Sequence, residues 1–328
     1  MSGYSPLFQM TDEITHLVID IAELVGIISV DVRFSPNPRL RRINRLRTIQ
    51  ASLAIEQNTL SLAQVSAVIA GKRVLGPPED IREVQNAYEV YERMSQLDPF
   101  SLDDLLLAHS LMMRELLSDA GCFRSGNVGV FSDTGELIHT GTLAAYVPQV
   151  MRQLFAWLRE SQLHPLIKGC VFHYEFEFIH PFSDGNGRLG RFWHSLIIRQ
   201  WRPILAWLPV ETMIREHQEE YYQALNSAGS SGESTDFTAF MLKLLRDLLR
   251  DIQAGQQENV GKNVGDGINQ NARAVLNILR AKPQATAKEI AVLLNLSLRQ
   301  AERLLAGLKE RRLLARHGSP RRGWWEVL

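Results

Sequence analysis

Apolar residues recur at helical spacing along most of this chain and give way to strand-like runs in two short stretches. Ile14, Leu17, Val18, Ile21 and Leu24 share one face and predict a helix over 11–30. Ser35-Pro36-Asn37-Pro38 reads as a turn, after which helical spacing returns over 40–55 among many arginines. Helices are predicted over 79–97 and 101–118, each opened by an acidic or hydroxyl residue. Between 121 and 146, Gly, Ser and Thr collect around Val-Gly-Val-Phe and Glu-Leu-Ile-His-Thr, which predicts a hairpin. Helical spacing then holds over 147–178, apart from a break at His164-Pro165. It resumes beyond a glycine-rich turn at 183–187 and runs to about Ile252.

The stretch 254–270 is polar, glycine-rich and aperiodic, as a linker is. Three helical segments follow, the third opening at Ser297 as its N-cap, and then a tail that predicts a hairpin with a Pro/Gly tip. That order is the order of a winged helix-turn-helix. The chain is therefore expected to be mainly α. The expected division is a helical region over 1–100, a core over 101–253, a linker over 254–267 and a winged helix-turn-helix domain over 268–328.

Composition narrows the class. With 45% hydrophobic and 22% charged residues, 328 residues can bury a sizeable core. The two cysteines, Cys122 and Cys170, lack metal-ligand spacing, so neither a disulfide framework nor a zinc site is expected, and a reducing cytoplasm fits. Asp20 and Glu23 interrupt the most apolar run, and the first residues lack the pattern of a signal peptide, so no membrane is expected as a partner. Formal net charge is +0, yet residues 268–328 hold 12 Lys/Arg against 4 Asp/Glu. A basic module thus follows a mildly acidic body.

Candidate chemistry concentrates at 179–191, Ile-His-Pro-Phe-Ser-Asp-Gly-Asn-Gly-Arg-Leu-Gly-Arg. Two glycines flanking Asn186 let backbone N–H groups converge, and the apolar helix that follows adds the unpaired donors and positive end of its N-terminus. Together these suit a polyphosphate. Arg188 and Arg191 lie about one turn apart, where guanidinium groups can fork onto phosphate oxygens. Asp184 offers the single carboxylate with which a protein usually holds a phosphate-bound Mg²⁺. His180 can accept the proton of an attacking hydroxyl near neutral pH. Any one of these positions alone would be an ordinary turn or helix residue; their combination points to one site.

The string His-Pro-Phe-Ser-Asp-Gly-Asn-Gly-Arg-Leu-Gly-Arg resembles the Fic motif at every defined position. The resemblance covers about 35–250 and implies a compact helical core with a β-hairpin flap over a nucleotide. It implies transfer of AMP from ATP-Mg²⁺ to a Ser, Thr or Tyr hydroxyl of a target protein or of the chain itself. His180 would be the general base and Asp184 the Mg²⁺ ligand. Gly185, Asn186 and Gly187 would hold the phosphates, Arg188 their β/γ end, and Phe182 would anchor the loop. The segment 121–131 resembles the strand entering the flap, with Ile138 and His139 near its tip. Glu-Glu-Tyr-Tyr-Gln-Ala-Leu at 219–225 resembles the family's Tyr-Tyr helix, which places Tyr222 on the adenine side.

Ser52 and Glu56 lie one turn apart on the helix predicted at about 40–58, which resembles the family's inhibitory helix. Glu56 would then pair with Arg191 and occupy the place of the γ-phosphate. Gln57 stands where relatives carry Gly or Asn. In the basic module, Arg299, Gln300 and Arg303 near the start of the third helix and Arg316, His317, Arg321 and Arg322 on the wing suit DNA. The family resemblance makes a homodimer the assembly to expect. Two other readings stay open on the sequence: a nucleotide-sensing DNA-binding regulator, and a transferase using GTP or UTP.

Overall fold

The computed structural model describes residues 4–30, 38–131, 137–254, 270–294, 298–310, 313–317 and 324–327. The chain forms two compact units, Met1–Gln257 and Glu258–Leu328. In chain order the first unit holds α1 (Asp12–Val30), α2 (Pro38–Ile55), α3 (Leu62–Ile69), α4 (Pro78–Glu92) and α5 (Leu102–Met112). It continues with β1 (Gly129–Phe131), β2 (Leu137–Thr140), α6 (Val147–Glu160), α7 (Pro165–Ile179), α8 (Asn186–Ile198), α9 (Val210–Glu216), α10 (Gln218–Ser231) and α11 (Thr235–Gln253). The fold class expected from the sequence, a mainly helical core with a small hairpin, is the one observed.

Several boundaries differ from the sequence reading. The helix expected over 101–118 ends at Met112, because Glu115 adopts a left-handed φ of 62° that no continuing helix tolerates. The one expected over 79–97 ends at Glu92 and tightens into a 3₁₀ turn at Met94–Gln96. The strand entering the hairpin covers only Gly129–Phe131 of the segment 121–131. Helix α3 was not legible from periodicity at eight residues, although Ser61 and Gln64 close a capping box at its start.

Helices α7 and α8 form the centre. Helix α7 is enclosed along most of its surface, polar Lys168 and His173 included, as suits a helix with neighbours all round. Its Phe172, Phe176 and Ile179 pack into one cluster with Leu105, Met112, Phe182, Phe192 and Trp193. Its Leu166, Cys170, Val171 and Tyr174 enter a second cluster with residues of α1, α9 and α11. The loop between α7 and α8, which carries the motif, is thus held at both ends by buried helix. The hairpin pairs β1 and β2 antiparallel, with Val130 opposite His139 and an irregularity after Val130. Among the described residues no helix is long and apolar enough to cross a membrane.

The second unit contains α12 (Gln270–Ala281), α13 (Ala287–Leu293), α14 (Leu298–Glu310) and an antiparallel hairpin of β3 (Leu314–His317) and β4 (Trp324–Val327). Val275, Leu279, Ile290, Ala301, Leu305 and Trp325 form its own core. Arg299, Gln300 and Arg303 lie in the first two turns of α14, and His317 ends β3, where its Nε2 lies 2.7 Å from Glu326. Arg316 stacks over the Trp325 ring at 4.8 Å. Ser297, Arg321 and Arg322, like the turn at 35–37 and most of the linker, lie outside the described residues.

Candidate active site

Helix α7 stops at His180, whose φ of 52° turns the chain sharply into Pro181. A left-handed histidine costs free energy that the surroundings must offset, and Arg124 supplies the offset. Its Nε donates to the His180 carbonyl at 2.6 Å, Nη1 to Gly126 at 2.7 Å, and Nη2 to the carbonyls of Thr142 and Ile179. The Arg124 backbone N–H also donates to Pro181 at 3.0 Å. One buried guanidinium therefore ties the turn at His180 to both ends of the hairpin.

The His180 ring is half-buried. Burial lowers its pKa below the ordinary value and the charge of Arg124 adds to this, while the Glu177 carbonyl and the carboxylates of Glu56 and Asp184 act the other way. The imidazole is thus neutral near pH 7. Its Nδ1 is buried and makes no hydrogen bond of good geometry.

Beyond Phe182 the loop is fixed from two sides. Asn186 closes it, accepting the Phe182 N–H on Oδ1 at 2.9 Å and donating Nδ2 back to the Phe182 carbonyl at 2.9 Å. Its side chain is committed to the loop, so only its backbone N–H is left to face a ligand. His109, fully buried on α5, stacks flat on the Phe182 ring at 3.7 Å. Its Nδ1 accepts the Gly121 N–H at 2.8 Å, so the proton sits on Nε2, which donates to the Asp184 carbonyl at 3.0 Å. Gly185 follows with a φ of 82°, and a Cβ there would lie 2.7 Å from the Met113 sulfur. Only glycine meets both demands.

Helix α8 starts at Asn186 without a side-chain cap, so its first N–H groups face the site. Asp184 Oδ1 accepts from the Gly185 N–H at 2.5 Å and from Arg188 Nη2 at 3.0 Å, and the carboxylate is 58% exposed. Among the described residues no group of three metal-ligating side chains assembles. One exposed carboxylate beside an uncapped helix start fits Mg²⁺ that takes its other ligands from water and phosphate.

Both motif arginines are buried and paired. Arg188 Nη1 meets Glu83 Oε1 at 2.5 Å. Arg191 Nη2 meets Glu56 Oε1 at 2.7 Å and the Ser52 carbonyl at 3.0 Å, and its Nε lies 3.3 Å from Ser52 Oγ. Burial would lower the Arg191 pKa, but Glu56, Tyr221 and Glu177 together outweigh it and hold the guanidinium firmly charged. Glu56 Oε1 also sits over Gly187, where an added Cβ would collide with it.

Glu56 ends α2 in a tight turn. The Asn58 N–H donates to Leu53 at 3.1 Å and the Gln57 N–H to Ala54 at 3.2 Å, with Gln57 at a φ of 68°. That is the Schellman pattern, whose left-handed position favours Gly or Asn. Tyr222 on α10 is 37% exposed and packs on the buried ring of Tyr221 at 5.4 Å; burial, then Glu56, raises its pKa.

The structure thus brings His180, Asp184, Gly185, Gly187, Arg188, Arg191, Ser52 and Glu56 together around one loop. Reading the sequence for function missed Arg124, His109 and Glu83. His109 carries a signal: it stands beside Leu105, Ala108 and Met112 on the apolar face of its helix. Arg124 and Glu83 look like ordinary charged residues.

The Fic/DOC family model matches residues 99–198, which span this loop, α5 to α8 and the hairpin. The crystal structure of a Fic family protein from Desulfovibrio desulfuricans G20 is 42% identical, with a TM-score of 0.75, over 99% of this chain and 98% of that one. This chain belongs to the Fic family. Fic-1 (residues 134–508) from Caenorhabditis elegans has a TM-score of 0.61 at 22% identity over 75% of this chain and 73% of that one, a likeness of fold. Two curated relatives are protein adenylyltransferase fic-1 of Caenorhabditis elegans and protein adenylyltransferase Fic of Nematostella vectensis. The first is 27% identical over 62% of this chain and 40% of its own length, the second 27% over 60% and 45%. The Fic chain described here spans less than half the length of these curated relatives.

Proposed function

We propose that this Fic chain transfers AMP from ATP to a hydroxyl of a protein, itself included, and that Glu56 restrains the reaction. The observation that carries the reading is the placement of a neutral His180, an exposed Asp184 and two buried arginines around one uncapped helix start. That arrangement occurs in a chain whose relatives are named protein adenylyltransferases.

The hydroxyl oxygen attacks the α-phosphorus, its proton passes to His180 Nε2, and the bond to the bridging oxygen breaks so that pyrophosphate leaves. The N–H groups of Asn186, Gly187 and Arg188 face the phosphates, and Arg188 and Arg191 offset their charge. Asp184 would hold Mg²⁺, which supplies charge neutralisation on the phosphates when bound. Glu56 withholds Arg191 and crowds Gly187, so that ATP binds with its α-phosphate out of line. Tyr222 lines the adenine side.

The second unit, with 12 Lys/Arg against 4 Asp/Glu over 268–328, binds duplex DNA through α14 and the β3–β4 hairpin, and the chain works as a homodimer in the cytoplasm. Labelled ATP, GTP and UTP, offered to the natural chain, to Glu56→Gly and to His180→Ala, test the central reading. Label from ATP should enter protein fastest with Glu56→Gly and not at all with His180→Ala. Transfer from GTP or UTP in preference to ATP would replace AMP as the group moved. Binding of ATP with no transfer in any variant would make the chain a sensor.

A further inference from the structure

Glu56 is not the only carboxylate seated on a motif arginine. Glu83 of α4, 18% exposed at its side chain, places Oε1 2.5 Å from Arg188 Nη1. Its other oxygen, Oε2, accepts from Asn58 Nδ2 at 2.7 Å. Asn58 is buried; Nδ2 also donates to the Asp80 carbonyl at 3.1 Å, and Oδ1 accepts the Leu60 N–H at 3.1 Å. Asp80 in turn accepts the Thr59 N–H at 2.9 Å. The turn that presents Glu56 is therefore fastened to α4, and through Glu83 to the second arginine of the site.

We propose that Glu83 is a second brake, holding Arg188 as Glu56 holds Arg191, with Asn58 linking the two. The proposal rests on the reading of the loop as a nucleotide site. Arg188 is 5% exposed and its charge is offset by Asp184 and Glu83 together, while its Nε is buried without a partner. A phosphate reaching this guanidinium must displace one carboxylate. Asp184, exposed and suited to Mg²⁺, gains a new partner when ATP-Mg²⁺ arrives; Glu83 gains none and simply competes. Because Asn58 follows Glu56 by two residues in one Schellman turn, lifting that turn removes Glu56 from Arg191 and takes from Glu83 the donor that orients it. Both arginines are then freed by one movement.

The test uses Glu83→Gln and Asn58→Ala in the full chain, with two measurements. ATP-Mg²⁺ binding is measured by calorimetry with His180→Ala present to prevent turnover. Glu83→Gln should tighten it about tenfold, the scale of one charge-assisted hydrogen bond no longer in competition. Unchanged or weaker binding would mean that Glu83 positions Arg188 for the phosphates, and would overturn the brake. Amide hydrogen exchange at 56–58 needs no nucleotide. It should quicken about tenfold in both variants as the turn loosens, and unchanged exchange would overturn the link through Asn58. If no variant binds ATP, the nucleotide reading itself fails and takes the brake with it. Tighter ATP binding without any AMP transfer in the His180-containing chain would instead sink the transferase reading and leave the brake standing.

Discussion

Arg191 Nη2 and Glu56 Oε1 meet at 2.7 Å, and that same carboxylate oxygen lies over Gly187. One side chain thus engages a buried guanidinium and fills the space above Gly187. Replacing Glu56 with Gly should raise self-modification from labelled ATP by about ten- to a hundredfold, the scale of a buried hydrogen bond to a charged group. Adding Arg191→Ala should cancel most of the gain, because the two residues share one interaction. Equal rates for the natural chain and Glu56→Gly would mean that α2 does not restrain the site.

His180→Ala should lower transfer by about 10²–10⁴ while leaving ATP binding in place. The base must be neutral to act, and burial holds its pKa below 6.5. The rate should therefore persist below pH 6.5 and fall only as pH descends through the lowered value. Glu56 pulls that pKa upward, so in Glu56→Gly the acid limb should move to lower pH. An acid limb displaced upward in that variant would contradict the assignment.

Asp184→Ala should remove metal-dependent transfer, since the neighbouring carboxylates of Glu83 and Glu56 are engaged by Arg188 and Arg191. Mg²⁺ titrations of the rate show whether the requirement shifts. Unaltered Mg²⁺ dependence would place the metal elsewhere.

Gln57 occupies a left-handed position at a φ of 68°. Gln57→Gly should relieve about 1 kcal/mol of backbone strain, raising the melting temperature by about 2–4 °C. Because the strain lies in the turn that presents Glu56, basal self-modification should fall at the same time. Thermal unfolding and a labelled-ATP time course read the two effects separately.

His109→Ala removes a stack on Phe182 and hydrogen bonds to Gly121 and Asp184. The expected cost is about 3 kcal/mol, from two hydrogen bonds and one aromatic pair at about 1 kcal/mol each. Transfer should fall even where the variant remains folded, because Asp184 loses its backbone support. A folded variant with full activity would limit His109 to packing.

The elements legible in the sequence are those whose pattern is local. Helix α1 shows itself through Ile14, Leu17, Ile21 and Leu24, which are all buried, and the loop at 180–191 through residues adjacent in the chain. What stayed hidden depends on distance. Glu83 reaches Arg188 across 105 positions and Arg124 reaches His180 across 56, and neither leaves a periodic mark. The early end of α5 was hidden too, because a left-handed Glu115 has no compositional signature.

The turn that carries Glu56 is the last turn of a helix, and this sets its tempo. In isolated peptides helix ends relax within about a microsecond, far faster than an enzyme turnover on the order of 10 per second. On the proposed reading, the site samples its released form many times before each transfer, and Glu56 would scale the rate by the fraction of time it is away instead of switching the chain between lasting states. A time course begun by adding ATP should rise without a lag, and agents that bind the released turn should tune activity continuously, like a dimmer.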